Sequence, residues 1–303
     1  MGKNTKDLSV EAFLALRNHF FDEKGKPVSF HLRPKSSTQD DPFDELLGKN
    51  ILAKLNNVQC EKAPGPLITP DLVLFRPVEC KNADKAELKN DISRILAIEV
   101  KKLERTKQGN VARASGLDYN TTPPCGIVRV YDSVKNTLDI RSFYLFVCLE
   151  TDKTDISKVI LSALALVDGN LLNTDFNLYL KVVGEREKQI GLGSYANGAD
   201  RTRPMLIFAN PLGAELLDYR VTLIHQSPKL ENSKLRLVYQ IIRTSSDKKK
   251  NKFYCYRLDS DVQYDWEVST LTDPFPTPVR DFRTRPRGRF KLPFRIRDSK
   301  IEI

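Results

Sequence analysis

Glu99 and Lys101 stand two positions apart in a run, Ile95 to Leu103, whose other members up to Val100 are all apolar. In an extended chain, residues two apart leave the same face of a sheet. A carboxylate and an ammonium on a largely buried strand are costly unless they are paired or bound to something. A second carboxylate, Asp71, follows Pro70 and opens another apolar run, Leu72 to Phe75, twenty-eight positions before Glu99. Two carboxylates meeting at a strand end form a hard oxygen site that suits magnesium. Such a cation polarises a phosphate and lowers the pKa of a bound water. A lysine beside it can position that water or stabilise charge developing on phosphorus. The bland alternative is an exposed Glu-x-Lys ion pair of little energetic consequence.

The joint pattern is Pro70-Asp71 opening one strand, Glu99-Val100-Lys101 within the next, and an acidic helix upstream. It resembles the PD-(D/E)XK nuclease superfamily, over roughly Phe43 to Leu149. The resemblance implies Asp71 and Glu99 as metal ligands, Lys101 as the catalytic lysine and Mg2+ as the cofactor. It also implies an acidic ligand from the preceding helix, for which Glu45 is the best match and Asp44 the competitor. The interval between Asp71 and Glu99 is longer than a tight hairpin. Residues Lys81 to Asn90 are therefore expected to form a charged hairpin excursion, and Glu79 becomes a rival ligand if they hide a further strand. Lys102 faces away from Glu99 and is set aside.

Among relatives of that kind, a stand-alone basic chain looks most like a type II restriction endonuclease. The expected activity is Mg2+-dependent hydrolysis of double-stranded DNA at a specific short sequence. A homodimer matching a palindromic site and a separately encoded DNA methyltransferase would accompany it. The rivals are a repair or structure-specific endonuclease on the same core, and a DNA-binding protein that does not cut. The three histidines, His19, His31 and His225, show no ligand spacing, and no phosphate-binding loop context surrounds Gly191 to Gly193.

The elements needed to hold such a site can be read from pattern. Ser9 could cap a helix carrying Phe13, Leu14, Leu16 and Phe20, and Asp41-Pro42 opens a second helix through Leu55. Strands are expected at residues 57–61, 71–75, 95–103, 127–131, 143–149, 178–183 and 205–209. The stripe Ile156, Val159, Ile160, Ala163, Leu164 and Val167 reads as an amphipathic helix. From Leu216 onward the pattern is mostly β, with a long hairpin of Leu235–Arg243 and Lys252–Leu258. The fold class is therefore α/β: a restriction-endonuclease-like core with a central mixed sheet flanked by helices, and a β-rich C-terminal region. The organisation is an N-terminal helical region (1–60), a catalytic core (61–205) and a β-rich region with a basic tail (206–303), the last two separated by a soft boundary.

The chain has 303 residues, 40% of them hydrophobic, and a formal net charge of +10. That surplus suits a polyanionic partner. A polar N-terminus and the lack of any apolar run near the ~20 residues a bilayer requires point to a cytoplasmic protein without a membrane segment; the resemblance to restriction endonucleases implies a prokaryotic one. Five scattered cysteines without a Cys-x-x-Cys pair argue against a zinc site or a disulfide framework. Cys148 and Cys255 are expected as buried thiols. Candidate DNA contacts are Arg105, Lys107, Gln108 and Arg113 in the loop after the Glu-x-Lys strand. Others are Asn120 in a proline-stiffened loop and Arg285, Arg287 and Arg289 in a tail whose arginines alternate with phenylalanines. A tail that packs its phenylalanines and leaves its arginines solvated is the plain alternative.

Overall fold

The computed structural model describes residues 7–37, 40–65, 68–105, 111–112, 126–171, 193–194, 202–203, 221–230, 234–245, 250–258, 261, 269–277 and 290–297. A large mixed, open sheet dominates it. Its strands are β1 (Gln59–Lys62), β2 (Leu72–Phe75), β3 (Ile95–Arg105), β4 (Val111–Ala112), β5 (Ile127–Tyr131), β6 (Thr137–Thr151) and β7 (Val159–Asp168). After a two-stranded ladder of β8 (Gly193–Ser194) and β9 (Thr202–Arg203), β10 (Val221–His225), β11 (Leu235–Ser245), β12 (Lys250–Leu258) and β13 (Ser269–Thr277) rejoin the main sheet. The order is β1-β2-β3-β6-β7-β10-β12-β11-β13, with β4 beside β3 and β5 beside β6. The pairs β3–β6, β7–β10 and β11–β13 are parallel and the other main-sheet pairs are antiparallel. Strands from the C-terminal third thus extend the same sheet that holds β3.

One face of the sheet is covered by helix. α1 (Leu8–Phe20) buries Leu8, Ala12, Phe13, Leu16 and Phe20 against the even-numbered side chains of β2 and β3. Its cap is Asp7, not Ser9: the Ser9 N–H and Oγ–H both donate to Asp7 Oδ1, at 2.8 and 2.7 Å. A cap of this kind contributes ~1 kcal/mol. α2 (Pro42–Glu45) opens at Asp41-Pro42, with Asp41 capping the Asp44 N–H. It continues as a π-turn, Leu46–Ile51, and a 3-10 turn, Leu52–Lys54, which seat Leu47, Ile51 and Leu52 in the same core.

The opposite face is covered differently from expectation. Val73, Phe75, Ile95 and Ala97 pack there against Val128, Val130, Leu138 and Ile140 of the β5–β6 hairpin. Phe290, Leu292, Phe294 and Ile296 join the same cluster. Residues 81–90 are not a hairpin. They contribute to α3 (Pro77–Asn82) and α4 (Lys85–Leu88), the latter closed by a reciprocal Asp84–Glu87 capping box. Among the described residues, long helix therefore flanks one face of the sheet.

The stripe from Ile156 to Val167 is also not a helix. Ile156 lies in a turn, and Val159–Asp168 is β7, with Leu161 and Leu164 to Val167 all at most 1% exposed. From Ala163 to Val167 the strand is apolar at every position and from Leu164 it is buried on both faces, so a helical period can be picked out of it by coincidence. The β11–β12 hairpin follows the sequence pattern, and Cys148 and Cys255 are buried thiols. The strands expected at 178–183 and 205–209 lie outside the described residues. Among the described residues no helix is long and apolar enough to cross a membrane.

Candidate active site at the end of the β2–β3 ladder

β2 and β3 pair in register from Phe75 opposite Ile95 to Leu72 opposite Ile98. One step further the ladder would place Asp71 opposite Glu99, but β2 begins only at Leu72. The Asp71 side chain takes over the role of the missing backbone partner: its Oδ2 accepts from the Val100 N–H at 2.7 Å. This fixes one carboxylate beside the other. Glu99 and Lys101 project from the same face of β3, and the Lys101 ammonium donates to Glu99 Oε1 at 2.9 Å. Their neighbours across the parallel β3–β6 pairing are Tyr144 and Phe146, both buried, which give the charged pair an apolar flank.

Asp44 reaches the cluster from α2. It is 7% exposed, and its Oδ1 lies 3.3 Å from the Lys102 ammonium, which is also paired with Asp41. Lys102 leaves the opposite face of β3 from Lys101, as its sequence position requires. There it faces the α2 carboxylates, not open solvent. The group thus holds four carboxylates (Asp41, Asp44, Asp71, Glu99) against three ammonium groups (Lys62, Lys101, Lys102), leaving an excess of one negative charge when all are ionised.

That excess shows in the proton affinities. Burial, then the Glu99 charge and more weakly Asp44, push the Asp71 carboxyl well above the ordinary carboxylate range, against the pull of Lys101 and the Val100 N–H. Burial also raises Asp44, helped by Asp41 and opposed by Lys102. Burial works against the Lys101 charge, but Glu99, Asp71 and Asp44 outweigh it and hold the ammonium above its usual pKa. Glu99 Oε2 is buried and has no hydrogen-bond partner.

Glu45 does not join this group. Its carboxylate is held by Arg33 at 2.5 Å and Lys49 at 2.7 Å, and those two cations draw its pKa down to about 2. One residue along a helix turns the side chain by about 100°, so Asp44 faces β3 and Glu45 faces out. The acidic helix residue beside Asp71 is therefore Asp44. Glu79 is exposed on α3 and is no rival ligand. Sequence reasoning set Lys102 aside; the adjacent Lys101-Lys102 pair together with Asp41 and Asp44 was the available signal.

Among the described residues no three His, Cys, Asp or Glu side chains already form a ligand cage. The donors that do converge are hard carboxylate oxygens, and one of them, Glu99 Oε2, lacks any partner. Magnesium is commonly held by one or two carboxylates with water and substrate phosphate completing its shell, so the donor set fits that ion. Of the candidate DNA contacts, Arg105 ends β3. Lys107, Gln108, Arg113, Asn120, Arg285, Arg287 and Arg289 lie outside the described residues. No family model, no curated protein and no solved structure matches this chain.

Proposed function

We propose that the chain is a Mg2+-dependent endonuclease that hydrolyses double-stranded DNA, in the manner of the PD-(D/E)XK nucleases. The observation that carries this reading is the convergence of Asp71 on Glu99 and Lys101, where β2 stops and β3 runs on. Asp71 and Glu99 would hold the ion, with Asp44 behind them adding negative potential. A bound magnesium ion supplies positive charge at the scissile phosphate. The Val100 N–H keeps the Asp71 carboxylate aimed, and the apolar flank of Tyr144 and Phe146 lowers the local dielectric and strengthens each interaction. Lys101, anchored on Glu99, orients the attacking water and offsets negative charge as it builds on phosphorus. The water oxygen forms the new P–O bond, one ester P–O bond breaks, and a phosphate monoester and a hydroxyl result.

Within that chemistry the finer reading is a type II restriction endonuclease, cutting at a short specific sequence as a homodimer and paired with a protective methyltransferase. Incubation of plasmid or phage DNA with Mg2+ should give discrete bands that vanish with a chelator. A panel of unmethylated, methylated, nicked and mismatched duplexes separates this from a repair enzyme, which would prefer the nicked or mismatched members. A second reading, a DNA-binding protein without cutting activity, is favoured by one observation: the Lys101 ammonium already closes on Glu99. Intact DNA under every divalent metal tried would select that second reading.

A further inference from the structure

The segment Phe290 to Arg297 alternates strictly between buried and exposed side chains. Phe290, Leu292, Phe294 and Ile296 are at most 5% exposed and belong to the core cluster on the Glu99 face of the sheet, whereas Lys291, Arg295 and Arg297 are exposed. The Phe294 ring lies 5.1 Å from that of Phe75, which sits directly opposite Ile95 on β3. The backbone is tied down along its length. Tyr131 N–H donates to Phe290 O at 2.8 Å and Leu292 N–H to Tyr131 O at 2.6 Å. Ile296 N–H donates to Asp132 Oδ2 at 3.0 Å, and Lys85 N–H to Arg297 O at 2.8 Å.

The two arginines of this strap, Arg295 and Arg297, differ from six others in the chain. Arg17, Arg33, Arg76, Arg94, Arg129 and Arg141 each meet a carboxylate. Among the described residues no carboxylate pairs with Lys291, Arg295 or Arg297. Four and two residues separate them, so they span at most ~14 and ~7 Å. One strand of a duplex carries a phosphate every ~3.4 Å of axis, so each cation can reach a phosphate of its own.

We propose that Phe290 to Arg297 is a rigid rail for the phosphate backbone of duplex DNA, with Lys291, Arg295 and Arg297 as its contacts. The proposal rests on the reading of this chain as acting on DNA, and it names a surface for the duplex on the face of the sheet from which Glu99 and Lys101 project. The apolar side chains of the strap are committed to the core, so it has nothing to insert into a bilayer, and its row of exposed cations on a tied-down backbone, unpaired among the described residues, suits a regular polyanion. Because the order of the rail is supplied by the core, binding costs little additional chain entropy.

The test is duplex binding by the full chain in chelator, where no cleavage can intervene, measured across a salt series. Neutralising all three cations (Lys291→Gln, Arg295→Gln and Arg297→Gln) should weaken binding by at least about 10-fold and reduce the salt slope by roughly 2–3, near 0.9 per lost phosphate contact. Arg297→Gln alone should reduce it by about 1. A control removing the same charge from exposed Lys24, Lys26 and Lys35 should leave the slope unchanged, and thermal midpoints should match throughout because no buried side chain is altered. An unchanged slope in the triple variant overturns the rail. So does a loss of binding to anionic lipid vesicles without a loss of binding to DNA. Cleavage assayed separately with Mg2+ keeps the two readings apart: a rail without cutting sinks the nuclease and spares the rail, and cutting with an unaltered slope does the reverse.

Discussion

At the scale of single residues, Asp71 is the most informative group. It completes the β3 backbone at Val100 and stands against Glu99, and burial beside that charge raises its pKa. A carboxyl that binds its proton more tightly folded than unfolded stabilises the fold fully below the unfolded value. That contribution is lost as pH rises through the folded value. Asp71→Asn keeps an oxygen to accept from Val100 and removes the charge. It should raise the thermal midpoint at pH 7–8 by on the order of a few °C while abolishing cleavage, and the gain should shrink towards pH 4. A lower midpoint at neutral pH would show that the charge is compensated in the folded state. The pairing of Glu99 with Lys101 was legible in the sequence because the two-residue period of a strand fixes it. The choice of Asp44 over Glu45 was not, because the rotation of α2 about its axis is set by Phe43 and Leu47 docking on the sheet, which local sequence does not encode.

At the scale of elements, the informative piece is the strap that closes the second core. Phe294→Ala removes a ring packed on Phe75 and should cost about 3–5 kcal/mol, read as a lower urea midpoint. A loss below about 1 kcal/mol would mean the strap is not part of the cooperative core. The sequence showed the alternation of phenylalanine and arginine here, and both halves of it matter: for residues 290–297 the aromatics are packed and the cations exposed. Two elements depart from their sequence pattern for definable reasons. The second half of β7, Leu164 to Val167, is buried on both faces and so carries no alternation to distinguish it from a helix. The excursion before β3 carried readable helix signals, Pro77 at a first turn and Asp84 three residues before Glu87, which its charge content obscured.

At the scale of the whole molecule, the sheet runs without interruption from β1 to β13. A helical part, a core and a β-rich part can be told apart in composition, yet β10 pairs directly with β7 and the strap packs under β2 and β3. A chain ending at residue 205 would strip β10 from β7 and remove Phe290 to Ile296 from the second core. It should be insoluble or lack near-ultraviolet circular dichroism and a cooperative melt. A soluble, cooperatively melting fragment would show that the core is independent of the C-terminal third. The pairing of strands far apart in sequence is the part of the fold that periodicity reveals least, since each strand reports its own burial but not its neighbour.

The proposal that this site cuts phosphodiester bonds turns on Lys101. The most direct measurement is single-turnover cleavage of a labelled duplex carrying a sequence the protein cuts, in Mg2+, for the unaltered chain and for Lys101→Ala, with binding followed in parallel. The expected result is cleavage that a chelator abolishes and that Lys101→Ala slows by about 10²–10³-fold, with duplex binding retained. Equal rates in the two proteins, or no Mg2+-dependent cleavage of any duplex, would contradict it.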